Sequence, residues 1–230
     1  MYISHKYKII FVRTPRAGGS SICKYLIDNI NDPEAIYTPV EDDNILGTVS
    51  EEILEKYRPY GFYGLGLEDL INEDLVTEEQ VDDYTCFCIL RDPIERQKSL
   101  YYQIKYMRTP QEDPSLSEYK AWTNNGYSLN HPNDTISQYD RLRVNGKVMG
   151  QYWLYEYIDY HLRDLFEDKG IRQITGVPRF KLRYRRDKDF DFDLGTVNKI
   201  RKHFKEDFNL YSRLRISAYE TDISHYTATQ

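Results

Sequence analysis

Two short apolar stretches stand out along the chain, Tyr7 to Thr14 (YKIIFVRT) and Thr85 to Leu90 (TCFCIL). Both predict buried strands, because their apolar residues run on without a helical gap. Between and after them the spacing turns helical. Ser20 to Ile30 places Ile22, Leu26 and Ile27 on one side, and Thr48-Val49-Ser50-Glu51 is a capping-box pattern for a second helix. Residues 60–66, YGFYGLG, read as a strand or strand end, and Thr77-Glu78-Glu79-Gln80 opens a short helix before the second apolar stretch. Asp92-Pro93 then caps a helix expected to run through Tyr106 or Met107. Thr109 to His131 is less regular, with Pro110, Pro114 and Asn124-Asn125-Gly126, broken by a short helix after Ser115. Further on, Lys147 to Asp168 is helical in pattern and ends at Gly170, Ile171 to Val177 reads as a strand, and Thr196 to Phe208 as a final helix.

Strands alternating with helices predict an α/β fold, a three-layer sandwich with a central parallel sheet and ligands at the carboxyl ends of its strands. The 230 residues suit one domain, 1–230, with 109–146 as an insertion on the acceptor side. No apolar run approaches the roughly 20 residues that cross a bilayer. The opening MYISHKYKIIFVRT moves straight into a strand without a cleavage pattern, so a cytoplasmic protein with no membrane insertion is expected. Cys23, Cys86 and Cys88 are too few for a disulfide framework. Cys86 and Cys88 would share one face of a strand, which suits small core residues; no second cysteine pair or nearby histidine completes a metal site, and no metal is expected.

Net charge is −6, against general nucleic-acid binding. Residues 179–188, RFKLRYRRDK, nevertheless carry six basic groups and one acid, a local +5 that leaves −11 over the rest. Such a run is either an anion site or a solvated charged edge.

The chemistry concentrates in two strand-to-helix turns. In Phe11 to Ile22, FVRTPRAGGSSI, Gly18 and Gly19 admit an anion close to the backbone. Amides opening the next helix point at it, Ser20 and Ser21 add hydroxyls, and Arg16 adds a planar charged fork. The GKS or GKT ending of a nucleotide triphosphatase is missing. In the second turn Arg91 closes a strand and Ser99 follows two helical turns later, so both could reach one phosphate. Alternatively, Arg91 pairs with a local carboxylate and Ser99 is an indifferent helix residue.

Pro15-Arg16-Ala17-Gly18-Gly19-Ser20-Ser21 resembles the PKTGGTS-type 5′-phosphosulfate loop of sulfotransferases, in particular the branch of carbohydrate and heparan sulfate 2-O-sulfotransferases and bacterial relatives. Arg91 to Tyr101, RDPIERQKSLY, resembles that branch's 3′-phosphate motif RxPxxRxxSxY, and His203 to Tyr211 resembles its terminal helix with a D-x-x-L-Y/F ending. The resemblance implies a P-loop-nucleotide-kinase-like sulfotransferase fold and 3′-phosphoadenosine-5′-phosphosulfate (PAPS) as sulfuryl donor. Residues Arg16, Ala17, Gly18, Gly19, Ser20 and Ser21 would hold the 5′-phosphosulfate, and Arg91 and Ser99 the 3′-phosphate. Arg183, Arg185 and Arg186 fall where such enzymes have a loop closing over the donor, and one of them, assigned as Arg185, would touch the 3′-phosphate or an anionic acceptor. The acceptor would be a hydroxyl, less readily an amine, of a small molecule or carbohydrate.

Two departures stand against that pattern. Arg16 replaces the family's usual lysine as catalytic cation, and residues 24–90 contain none of the histidine that relatives use as base. Glu68 is the candidate base in its place, against an ordinary role in the first turn of a helix; His131 could instead face the acceptor. The sequence also leaves two other readings open: a small-molecule or nucleotide kinase, and a non-catalytic nucleotide-binding protein of the same fold.

Overall fold

The computed structural model describes residues 1–40, 45–57, 65–108, 115–124, 136–177 and 191–227, with backbone alone at 104–108, 122–124 and 219–227. Its central sheet is built around the two apolar stretches. Strand β2 (Ile9–Val12) pairs in parallel with β4 (Thr85–Leu90), Phe11 opposite Phe87. Beyond β4 lies β7 (Gln151–Leu154), also parallel, with Trp153 opposite Ile89. On the other side, β1 (Tyr2–Ser4) runs antiparallel to β2, and β3 (Ile36–Tyr37) pairs antiparallel with β1. The order is β3-β1-β2-β4-β7, and only β1 opposes the common direction, so the sheet is mostly parallel.

Period-two alternation divides these strands between two cores. Ile9, Phe11, Phe87, Ile89 and Trp153 face α1 (Gly19–Asn29) and α7 (Ile158–Asp168), meeting Ile22, Leu26, Leu162 and Phe166. Three aromatic rings lie in a row across that face, with centroids 5.1 Å apart for Phe11 and Phe87 and 3.7 Å for Phe87 and Trp153. Ile3, Ile10, Val12, Cys86 and Cys88 face the other way, toward α2 (Glu51–Tyr57), α3 (Leu67–Asn72) and α4 (Glu78–Asp83). Helices on both faces make the three-layer α/β sandwich expected from the sequence. The two cysteines do share a face; burial pushes the Cys88 thiol up to about 12 and raises Cys86 as well, so both are inert packing groups.

Two predicted helix starts hold as drawn. Thr77 Oγ accepts from the Gln80 N–H at 3.1 Å while Gln80 Oε1 accepts from the Thr77 N–H at 2.9 Å, a reciprocal box opening α4. Asp92 Oδ1 takes the N–H groups of Ile94 and Glu95 at 2.8 and 3.1 Å and opens α5 (Pro93–Arg108). The short helix after Ser115 is α6 (Leu116–Asn124). Its Tyr119 joins Tyr101 of α5 and Ile200 of α8 (Leu194–His203) in a cluster completed by Phe204.

Other expectations are overturned. Lys147 to Asp168 is not one helix: a hairpin of β5 (Arg143–Val144) and β6 (Lys147–Val148) comes first, β7 follows, and only α7 is helical. Gly150 is the reason. Its φ is 135°, and a Cβ there would stand 2.8 Å from the Cys86 carbonyl oxygen, so the chain crosses β4 at a contact that needs glycine. The aromatic run that follows then gains the parallel ladder, and tertiary pairing overrides helical spacing. Ile171 to Val177 is irregular; Asn29 Oδ1 holds it by accepting from the N–H groups of Ile174 and Thr175 at 2.5 and 2.8 Å. Thr48 does not cap α2. Its hydroxyl accepts from the Tyr37 N–H at 2.9 Å and donates to the Ala35 carbonyl at 3.1 Å, fastening β3 instead. The final helix breaks at Phe204 and resumes as α9 (Lys205–Thr227). Most of the 60–66 stretch lies outside the described residues.

Candidate functional site

At the carboxyl end of β2 the chain turns through Arg13-Thr14-Pro15-Arg16 before α1 begins. Arg13 is 2% exposed: Nη1 donates to Thr38 Oγ1 and the Pro39 carbonyl at 3.2 and 2.9 Å, and Nη2 to Ser20 Oγ at 2.8 Å. Accepting that bond leaves the Ser20 hydroxyl its own proton to donate. The Ala17 N–H donates to the Thr14 carbonyl at 3.3 Å and closes the turn. Arg16 itself sits in the left-handed region, φ 63°, where a non-glycine residue is uncommon. Gly18 follows at φ 80°, and a Cβ on it would meet the Tyr155 ring at 3.2 Å. Gly19, Ser20 and Ser21 form the opening turn of α1, the end at which amides and helix dipole favour an anion.

The neighbouring turn ends β4. Gln138 clamps it by accepting the Arg91 N–H with Oε1 and donating through Nε2 to the Arg91 carbonyl, both at 2.9 Å. Arg91 Nη1 then donates to the Arg16 carbonyl at 3.0 Å, and its guanidinium lies over the Tyr155 ring, 5.1 Å from the centroid. A local carboxylate, Glu95, is farther away at 3.9 Å. From the other direction Arg16 donates through Nε and Nη2 to Ser99 Oγ at 3.3 and 3.0 Å, and through Nη1 to Gln103 Oε1. Arg16, Gly18, Arg91 and Ser99 thus belong to one constellation.

Behind it stands a set of buried arginines. Arg96, 1% exposed, donates through Nε to the Pro15 carbonyl at 3.1 Å and through Nη2 to the Ile136 carbonyl at 2.6 Å. Its Nη1 is 3.6 Å from Asp207 Oδ2, and its guanidinium covers Phe204. Asp207 accepts in turn from Ser137 Oγ and from the N–H groups of Gln138 and Tyr139, at 2.7, 3.0 and 2.9 Å. Arg141 donates through Nε to the Arg13 carbonyl at 3.1 Å and through Nη2 to Leu65, and burial lowers its pKa to about 10. The carbonyls of residues 13, 15 and 16 are therefore each held by a different arginine, Arg141, Arg96 and Arg91. With its carbonyl oxygens tied down, the loop is preorganised around a fixed charge pattern.

Sequence reasoning singled out Arg16, Gly18, Arg91 and Ser99, and placed Arg96 and Asp207 only within motifs. It missed Arg13, Gln103, Gln138 and Arg141. The RxxS spacing held a hint for Gln103, since residue 103 is one turn beyond Ser99 on the same face of α5. Glu68 is exposed in the first turn of α3, and its Oε1 accepts from the Asn145 N–H in the β5–β6 turn at 3.1 Å. The structure does not bond it to Arg16, Arg91 or Ser99. His131, Arg183, Arg185 and Arg186 lie outside the described residues. Among the described residues no cluster of three or more His, Cys, Asp or Glu is placed to hold a metal ion, and no helix is long and apolar enough to cross a membrane.

Two helix-opening turns thus stand side by side at the ends of adjacent parallel strands of the α/β sandwich, locked together by arginines, at the place where folds of this class take their ligands. A sequence model of the sulfotransferase family matches residues 1–213, and the chain belongs to that family. Sulfuryl transfer thereby displaces the kinase reading. Searches of curated proteins and of solved structures returned no significant match.

Proposed function

We propose that this chain transfers a sulfuryl group from PAPS to a hydroxyl on a small-molecule or carbohydrate acceptor. The observation that carries the reading is the convergence of two anion turns, because Arg91 bonds the Arg16 backbone while Arg16 reaches Ser99. A nucleotide with phosphate groups at both ends of its ribose suits a pair of such turns side by side. In this reading Gly18, Gly19, Ser20 and Ser21 receive the 5′-phosphosulfate at the helix opening, and Arg91 and Ser99 receive the 3′-phosphate. Arg185, in the basic run, supplies charge over the donor.

When bound, the donor supplies an activated sulfuryl group; the chain supplies alignment and fixed charge. Arg16 is the cation for the charge that develops on the leaving phosphate, the role that lysine has in the family pattern. Arg16→Ala is expected to lower turnover about 100-fold, the cost of losing one preorganised donor, with a smaller change in affinity for 3′,5′-ADP. Transfer to a panel of hydroxyl acceptors, read as release of 3′,5′-ADP, tests both parts. Turnover equal to wild type would remove Arg16 from the chemistry, and donor binding with no transfer to any acceptor would favour a non-catalytic nucleotide-binding protein.

Glu68 is the proposed proton acceptor. Its helix is tied to the loop through Arg141, which bonds both Leu65 and Arg13. Its Oε1 accepts from Asn145, which leaves Oε2 to take the acceptor's proton, and Glu68→Gln separates the two roles, because glutamine keeps an acceptor for that N–H. A base predicts a loss of transfer of about 100-fold or more at unchanged melting temperature. Undiminished transfer leaves Glu68 as an anchor for the hairpin alone.

A further inference from the structure

A lysine in the donor loop is a point charge that one acceptor can hold, whereas an arginine is a plane with donors on several edges. Held at one edge only, that plane swings about its single bonded contact. Among the described residues the Arg16 fork is gripped at two places: Nε and Nη2 meet Ser99 Oγ, and Nη1 meets Gln103 Oε1. Ser99 and Gln103 are four residues apart on α5, so they stand one above the other along one face of the helix. Below them, the Arg16 carbonyl is fixed by Arg91, which anchors the base of the same side chain.

We infer that Gln103 is a positioning residue that allows arginine to stand where a lysine is usual, by fixing the plane of the Arg16 guanidinium with an acceptor that carries no charge. The neutrality of that acceptor matters as much as its position. A carboxylate at 103 would hold the fork equally well but would pair with Arg16 and cancel the charge that the loop presents to an anion. An amide oxygen orients the cation without itself pairing against its charge. This inference rests on the sulfuryl-donor reading for its purpose, but not for its geometry.

Two measurements separate them. In the unliganded protein, NMR of nitrogen-labelled arginine side chains reads rotation of the Arg16 guanidinium, with Arg16→Lys identifying its signals. Wild type is expected to show separate, slowly exchanging Nη protons, and Gln103→Met, which keeps the side-chain length without the acceptor, to show them averaged. Identical Arg16 spectra in the two proteins would overturn the inference, whatever nucleotide the protein binds. The second measurement titrates 3′,5′-ADP into wild type, Gln103→Met, Arg16→Lys and the double variant. Gln103→Met is expected to weaken binding about tenfold or more beside Arg16 and to leave it unchanged in the Arg16→Lys background, as loss of a hydrogen bond to a charged group requires. Equal losses in both backgrounds would show a general structural role and overturn the positioning role. Gln103→Glu is expected to keep the slow Nη signals yet bind 3′,5′-ADP more weakly than Gln103→Met; wild-type affinity there would overturn the argument from neutrality. Absence of 3′,5′-ADP binding by wild type would count against the donor reading and leave the spectra to decide on Gln103.

Discussion

Arg16 and Gly18 occupy left-handed backbone two residues apart, and the cost of that conformation falls differently on them. Arg16, which has a Cβ, needs outside support, and it receives it from Arg91 at its carbonyl and from Ser99 and Gln103 at its side chain. Gly18 needs none, because the absence of a Cβ satisfies both its φ of 80° and the approach of Tyr155. Gly18→Ala should therefore cost about 1–2 kcal/mol from the backbone alone, measured by urea unfolding, and should weaken 3′,5′-ADP by displacing the helix opening from Tyr155. Wild-type stability and affinity would show that the loop relaxes without loss. Of the candidate site, the residues legible in the sequence were those whose turn demands a type, Gly18 after β2 and the Arg91–Ser99 spacing after β4, which the structure brings together. Arg13, Arg96 and Arg141 were not, because a buried arginine that holds a backbone carbonyl looks in sequence like any arginine near a strand or helix end.

At the scale of elements, the site is held from behind by α9. Asp207 near its start accepts from Ser137, Gln138 and Tyr139 while facing Arg96, and Gln138 clamps the Arg91 backbone. Removing Asp207 leaves Arg96 buried without its carboxylate, so Asp207→Ala should destabilise by about 3–5 kcal/mol. A fall in 3′,5′-ADP affinity should accompany it through Gln138 and Arg91; unfolding and titration in parallel check both, and a stable variant with loosened binding would place Asp207 in the site rather than the scaffold. Gly150→Ala should cost more than about 2 kcal/mol, because strained backbone and a contact with the Cys86 carbonyl add. Tryptophan emission, with Trp153 in β7, would report whether the strand detaches. Elements whose identity lay in local chemistry were readable: β2, β4, α1, α4 and α5 have runs, caps or both. The pairing of β7 was not, since Gln151 to Leu154 gains its strand character only by lying against Phe87 to Leu90. For β1 and β3 the same holds, as three and two residues carry no period of their own.

For the whole molecule, a net charge of −6 contrasts with a candidate site rich in arginine, so the proposed nucleotide would be drawn by local charge alone. Nucleotide affinity should fall as salt rises from low to physiological ionic strength, and flatten beyond it once the Debye length of about 8 Å no longer spans the exposed part of the site. The sandwich itself followed from alternation of strand and helix, and the adjacency of the two turns followed from the sandwich, because β2 and β4 are neighbours and both end at the same edge. What alternation could not convey is how tightly those turns are cross-tied. The central claim is that they grip one doubly phosphorylated adenosine compound from two ends. Titration of the wild-type protein with 3′,5′-ADP, 5′-AMP and 3′-AMP at one salt concentration tests it most directly. The account predicts that the bisphosphate binds at least about tenfold more tightly than either monophosphate, since each end contributes charge-assisted hydrogen bonds; equal affinity for the bisphosphate and one monophosphate would contradict it.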